Sequence, residues 1–164
     1  KVNNIIYFND SLNRLRQAGF KRHLRPVEYF EIIADVEKHG NASPYKSLFD
    51  NLQSGKGEWL SMAVKIEKGM LYIAFDPEDL AWDAKTHFYV GNPVISATIN
   101  AGNLKAESWN ENILEFSNYF GVGCRGIYLN KEGQWGPVAF GGGIGCKRFD
   151  LYAIDDQGAS RGVR

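Results

Sequence analysis

Apolar residues recur along this chain with two different periods. Up to about residue 55 they fall three and four apart, as on one side of a helix; from Trp59 they alternate, as on one face of a strand. In the first part, Asn9, Asp10 and Ser11 read as an N-cap, Leu12 and Leu15 as an apolar stripe, and Gly19 as a stop. Pro26 suits the first position of a second helix, along which Val27, Phe30, Ile33 and Val36 recur until Gly40. Ser43 and Pro44 open a third, which buries Tyr45, Leu48, Phe49 and Leu52 before Gly55.

In the alternating part, Leu60, Met62, Val64 and Ile66 share one strand face, Glu67-Lys68-Gly69 turns the chain, and Leu71, Ile73 and Phe75 return. Trp59, Ser61 and Lys65 fall on the opposite face. The stretch PEDLAWD predicts one turn of helix, followed by strands over 87–90 and 94–99. Ser108-Trp109-Asn110-Glu111 has the spacing of a capping box, and Trp109, Ile113, Phe116 and Phe120 form the stripe of a further helix stopped by Gly121. Three strands, over 124–129, 138–140 and 146–154, then read as a simple meander. The expectation is an α+β fold: three N-terminal helices packed on a mostly antiparallel sheet of six to seven strands, with one further helix inserted before a C-terminal three-strand meander. A single globular domain over 1–154 and a Gly/Arg-rich tail over 155–164 complete it.

A chain of 164 residues, 44% hydrophobic, has enough apolar surface for one core. Nineteen basic residues balance nineteen acidic ones without blocks, which removes the main electrostatic reason to expect nucleic acid or an anionic membrane as partner. No apolar run reaches the roughly 18 to 20 residues of a spanning helix, so no membrane partner is expected. The first residue, Lys1, is not a start methionine, and a soluble protein, cytoplasmic or secreted after processing, is the expectation.

The two cysteines sit in a short repeat, FGVGCRGIYL from Phe120 and GGIGCKRFDL from Gly142. In a simple meander the middle strand holds Cys124 and Cys146 roughly 9 to 10 Å apart. A disulfide needs less than about 7 Å, so free thiols are expected. Zinc spacing is absent, and GGGIGCK lacks the Gly-Lys-Ser/Thr of a phosphate loop, so neither a metal nor a cofactor is expected. Glycines ahead of a strand's first cysteine can expose the thiol as a nucleophile. Over these few residues the Gly-Cys strand start resembles that of some bacterial glutamine deamidases, which implies a cysteine nucleophile with a downstream histidine. Here His23, His39 and His87 all come earlier.

Asp76, Glu78, Asp79 and Asp83, followed by His87, form the densest acidic cluster, a candidate acid-base set. The same residues also suit a turn before a helix N-terminus. Arg22 and Arg25 belong to the one local basic run, between the first two helices, which reads as a solvated interhelical turn or as a place to meet a phosphate or an acidic partner surface. Trp59 and Trp135, with Lys65, stand where a second strand face would display aromatic rings to a protein or a sugar unless the N-terminal helices cover it. The reading that follows is a non-catalytic protein-binding, inhibitory or accessory domain acting through a neutral, aromatic-rich surface. Two alternatives stand beside it. One is a small hydrolase or transferase using Cys124 or Cys146, or an Asp/Glu/His acid-base set; the other is a carbohydrate-binding module.

Overall fold

The alternation from Trp59 builds the centre of the molecule. In the computed structural model, which describes residues 8–40, 42–53, 58–86, 88–111, 124–141 and 149–153, strands β1 (Glu58–Glu67) and β2 (Met70–Phe75) form an antiparallel hairpin. Their register runs from Met62 opposite Phe75 to Glu67 opposite Met70. The two turn residues, Lys68 and Gly69, both have positive φ, 49° and 75°, the handedness that matches the twist of flanking strands.

Around this hairpin lie β5 (Ala97–Asn100), β6 (Ser108–Glu111), β7 (Cys124–Leu129), β8 (Gly136–Gly141) and β9 (Phe149–Ala153). Together they make a seven-stranded sheet in the order β5-β2-β1-β8-β9-β7-β6. A separate two-stranded ribbon pairs β3 (Ala81–Asp83) with β4 (Phe88–Val90). Three helices precede the sheet: α1 (Phe8–Gln17), α2 (Pro26–His39) and α3 (Lys46–Gln53). The fold is α+β, its strand pairs antiparallel except β7 with β9.

Period two sorts the hairpin's side chains to the two sheet faces. Leu60, Met62, Val64 and Ile66, with Leu71 and Ile73, pack against Tyr29, Phe30, Ile33 and Val36 of α2. On the other face Trp59, Ala63 and Ala74 meet Phe8 and Leu12 of α1, together with Leu80 and Tyr89 from the ribbon and its approach. Both faces are therefore covered. Each fully buried Leu, Ile or Met contributes on the order of 1.5–3 kcal/mol of transfer free energy, so the two clusters supply the main driving force for folding.

Three expectations are corrected. PEDLAWD makes a turn that runs into β3 rather than a turn of helix, and the ribbon it opens supplies part of the second layer. Ser108 to Glu111 is strand β6, paired with β7, not the start of a helix; Asn110 turns its amide onto the backbone of Lys105 and Ser108 instead of capping. The remainder of that expected helix lies outside the described residues.

The C-terminal strands also do not form a meander. β9 enters between β8 and β7, antiparallel to the first and parallel to the second. The connection from β7 to β8 explains it. Gly133 N donates to Ile66 O and Lys68 N to a Glu132 carboxylate oxygen, which fastens the connection to the β1–β2 turn and docks β8 on β1. A gap one strand wide is left for β9. The expected tail, 155–164, lies outside the described residues.

Candidate functional site

The β1–β8 register slips between the Trp59–Ala139 and Ala63–Pro137 pairs, so β1 carries a bulge opposite Val138, next to Pro137, a residue that cannot donate to a regular ladder. The bulge frees the Ser61 backbone for other partners. Its N–H donates to Leu24 O, in the loop between α1 and α2, and its carbonyl accepts from the Asp76 amide at the end of β2. Ser61 Oγ donates to Asp76 Oδ1 at 2.7 Å. Asp76 has φ +50°, a left-handed conformation that Asp tolerates better than most residues.

On this corner the only local basic run finds its counter-charges. Arg22 grips Glu28 with both guanidinium nitrogens, at 2.6 and 2.7 Å, and its Nε lies 3.6 Å from Asp76. Arg25 donates to both Asp76 oxygens and lies over the Phe75 ring at 6.0 Å. Glu28 also accepts the Arg25 amide at 2.8 Å, capping α2 behind Pro26. The Arg22 guanidinium holds the Glu28 carboxyl down to about 2, and Arg25, with Ser61, holds Asp76 below the usual carboxylate range. Both arginines are pushed above their ordinary value, Arg22 by Glu28 and Arg25 by Asp76. The cluster is charge-compensated. As a proton acceptor Asp76 is poorly suited, because its lone pairs face two cations and a hydroxyl.

The other carboxylates of the acidic stretch do not converge on it. Glu78 lies 3.6 Å from Arg16, Asp79 accepts the Asn92 amide, and Asp83 accepts from Lys85 N and Thr86 Oγ1. His87 lies outside the described residues. Cys124 opens β7 in Cα register with Phe149; Cys146 lies outside the described residues. The strand expected to separate their segments does not stand between β7 and β9, so the distance argument for free thiols loses its premise. Among the described residues no three His, Cys, Asp or Glu side chains gather as a metal site requires.

Trp59 and Trp135 are 4% and 8% exposed, which corrects the expectation that they display indoles to a partner. Phe8 of α1 meets Trp59 edge-on, with ring centroids 5.8 Å apart, and Trp135 belongs to the same cluster. Lys65 is held beside them: its Nζ is 3.2 Å from Glu67, 5.2 Å from the Tyr72 ring and 5.5 Å from Trp135.

The expected N-cap at Asn9 to Ser11 is corrected, since α1 already begins at Phe8, and the tertiary roles of Asn9, Ser11 and His23 were not legible. Asn9 and Ser11 look like local caps, yet Asn9 bonds Leu80 O and Trp82 N, and Ser11 Oγ lies 2.9 Å from His23 Nε2. Sequence reasoning also missed the apolar residues left outside. Phe20, Val27, Val94 and Ile95 are 62%, 48%, 84% and 49% exposed. Phe20 and Val27 flank the arginine cluster in sequence. Ile95 precedes Ser96, whose Oγ accepts the Phe75 amide at 3.1 Å and whose N–H donates to Ile73 O. No protein-family model, curated protein or solved structure matches this chain. No helix among the described residues is long and apolar enough to cross a membrane.

Proposed function

We propose that this chain is a non-catalytic protein-binding protein, inhibitory or accessory in kind, whose docking face lies where the α1–α2 loop meets the loop before β5. The observation that carries this reading is the exposure of Phe20 and Val27, which flank the paired Arg22 and Arg25 in sequence, and of Val94 and Ile95, which lead into Ser96, itself bonded to Phe75 beside Asp76. Large apolar groups left in water favour a protein partner that covers them. The Arg22–Glu28 and Arg25–Asp76 pairs leave little net charge at that corner to repel such a partner or to attract a nucleic acid. Among the described residues the exposed aromatic is Phe20, while Trp59 and Trp135 are buried, so the proposed face is neutral and apolar more than aromatic.

The buried indoles weigh against sugar stacking, which needs a ring open to solvent. The engagement of Asp76 and Glu78 with arginines weighs against acid-base chemistry there.

Photocrosslinking tests the proposal. A benzoylphenylalanine placed at position 94 and irradiated in extract of the source organism should give one discrete heavier product. The paired change Val27→Asp with Ile95→Asp should abolish it, and the same probe at Glu37, on α2, should not form it. Once the partner is purified, Ile95→Asp should weaken binding about 10- to 100-fold, the scale of an interface anchor. A product that is the same from positions 94 and 37 would refute the reading.

A further inference from the structure

A second surface, along α2, carries its own chemistry. Leu24, Ile32, Val36 and Tyr45 floor a shallow open groove of about 510 Å3 between α2 and the start of α3. Glu28, Glu31 and Asp35 line it as well. Positions 28, 31 and 35 share one side of α2, so the carboxylates follow one another along the groove. The floor is firmly held. Val36 belongs to the buried core, and the Tyr45 ring stacks on His39 with centroids 4.6 Å apart and planes 7° from parallel. Arg22 already compensates Glu28, and His39 Nδ1 lies 3.3 Å from Asp35. Glu31 forms no ion pair among the described residues. An apolar floor beside carboxylates selects a ligand that is apolar in the middle and cationic at its flanks.

We infer that this groove receives a basic amphipathic segment of a partner protein, an apolar side chain seated on Ile32 and Tyr45 with lysine or arginine against Glu31 and Asp35. The inference rests on the protein-binding reading, and its groove borders that corner through Leu24 and Glu28; the Ile32→Gln and Ile95→Asp changes tell the two apart, so they fail separately. An acidic peptide is disfavoured by the same rim, and an anionic membrane surface is disfavoured likewise.

The test uses three fluorescein-labelled 14-residue peptides and anisotropy at low and physiological salt. The first has leucines at helical spacing with lysines elsewhere; the second replaces the lysines by glutamates; the third replaces the leucines by serines. The lysine–leucine peptide should bind the full chain in the micromolar range, weaken as salt rises, and bind at least tenfold better than either control. The double change Glu31→Gln with Asp35→Asn should lower its affinity about tenfold, and Ile32→Gln should do the same without changing charge. Glu37→Gln, which removes a carboxylate from the other side of α2, should change it less than twofold, and Ile95→Asp should leave it intact. Equal binding of the lysine–serine peptide, equal loss in Glu37→Gln, or no binding of the lysine–leucine peptide would each overturn the inference. Loss of binding in Ile95→Asp would place the peptide on the other face and overturn it too.

Discussion

His23 Nε2 lies 2.9 Å from Ser11 Oγ inside the molecule, and the other ring nitrogen, Nδ1, is buried with no hydrogen-bond partner among the described residues. The imidazole is 2% exposed, beside the Phe8 ring at 4.9 Å, and ties α1 to the loop that carries Arg22 and Arg25. Burial, reinforced by Arg16, lowers its pKa to about 4. A proton gained on unfolding near pH 5 therefore favours the unfolded chain. The stabilisation is complete above about pH 6.5, the unfolded value, and is lost as pH falls from there towards 4; the total is on the order of 3 kcal/mol. Urea unfolding at pH 7, 5.5 and 4.5 should show this loss. His23→Gln should flatten the curve over that window and leave the steeper loss at lower pH, where the carboxylates of Glu28 and Asp76 take up protons.

Ser11→Ala removes the buried ring's one hydrogen-bond partner among the described residues and leaves Nε2 as unsatisfied as Nδ1. A destabilisation of about 1–3 kcal/mol is expected, the scale of an orphaned buried polar group. Because Phe8 and Leu12 ride on the same helix, the loss should appear as increased iodide quenching of tryptophan emission before global unfolding. Unchanged stability would mean that the Ser11–His23 contact carries little of the docking of α1.

At Asp76 two requirements meet, a left-handed backbone and a carboxylate between Arg25 and Ser61. Asp76→Asn keeps the backbone preference and an oxygen for Ser61 but removes the charge that faces two guanidiniums. Asp76→Ala removes all three. The expected order of stability is wild type, then Asn lower by about 1 kcal/mol, then Ala lower by a further 1–2 kcal/mol. Chemical denaturation at pH 7 checks the order. Below the depressed pKa of Asp76 the wild-type advantage over Asn should vanish, since the carboxyl is then neutral in both states.

Pattern and tertiary geometry divide the chain between them. The β1–β2 hairpin and most of the core face of α2 were readable because period alone assigns Leu60, Met62, Val64 and Ile66 to one face and Val27, Phe30, Ile33 and Val36 to one stripe, of which Val27, in the first turn, is the member left exposed. Ser108 to Glu111 misled because a capping box and an edge strand share those residue types, and only the register with β7 separates them. Strand order was invisible for the same kind of reason: nothing local in 124–153 tells β9 to insert beside β7, since the gap is made by bonds from Gly133 and Glu132 to a distant turn. At the candidate site the sequence showed Arg22, Arg25 and Asp76 as charged residues, and their pairing across more than fifty positions came from the β1 bulge at Ser61.

Gly126 on β7 lies under the Trp109 indole of β6. A Cβ there would meet Asn110 O at 2.5 Å and the Trp109 ring at 2.6 Å. Gly126→Ala should destabilise by roughly 1–3 kcal/mol, because backbone on a paired strand cannot yield as a side-chain tip would. Replacing Trp109 by Leu in the same chain should recover only part of the loss, since the clash with the Asn110 carbonyl remains. Full recovery in thermal unfolding would show that the ring alone sets the limit.

The last prediction concerns β9, which joins the β5-β2-β1-β8 half of the sheet to β7 and β6. Tyr152 stands in Cα register with Ala139 on one side and Tyr128 on the other, so its strand is paired along both edges. Proline at this position removes an amide donor and imposes its ring on a ladder with no free edge, at a cost of about 3 kcal/mol or more. Small proteins have only about 5–15 kcal/mol in total, so Tyr152→Pro should unfold a large fraction of the chain at room temperature. The consequence should extend well beyond the last strand: amide exchange in the β1–β2 hairpin should accelerate along with that in β7. Protection that survives in β1 and β2 while β7 exchanges freely would instead show that the two halves of the sheet fold as separate units, with β9 a late addition.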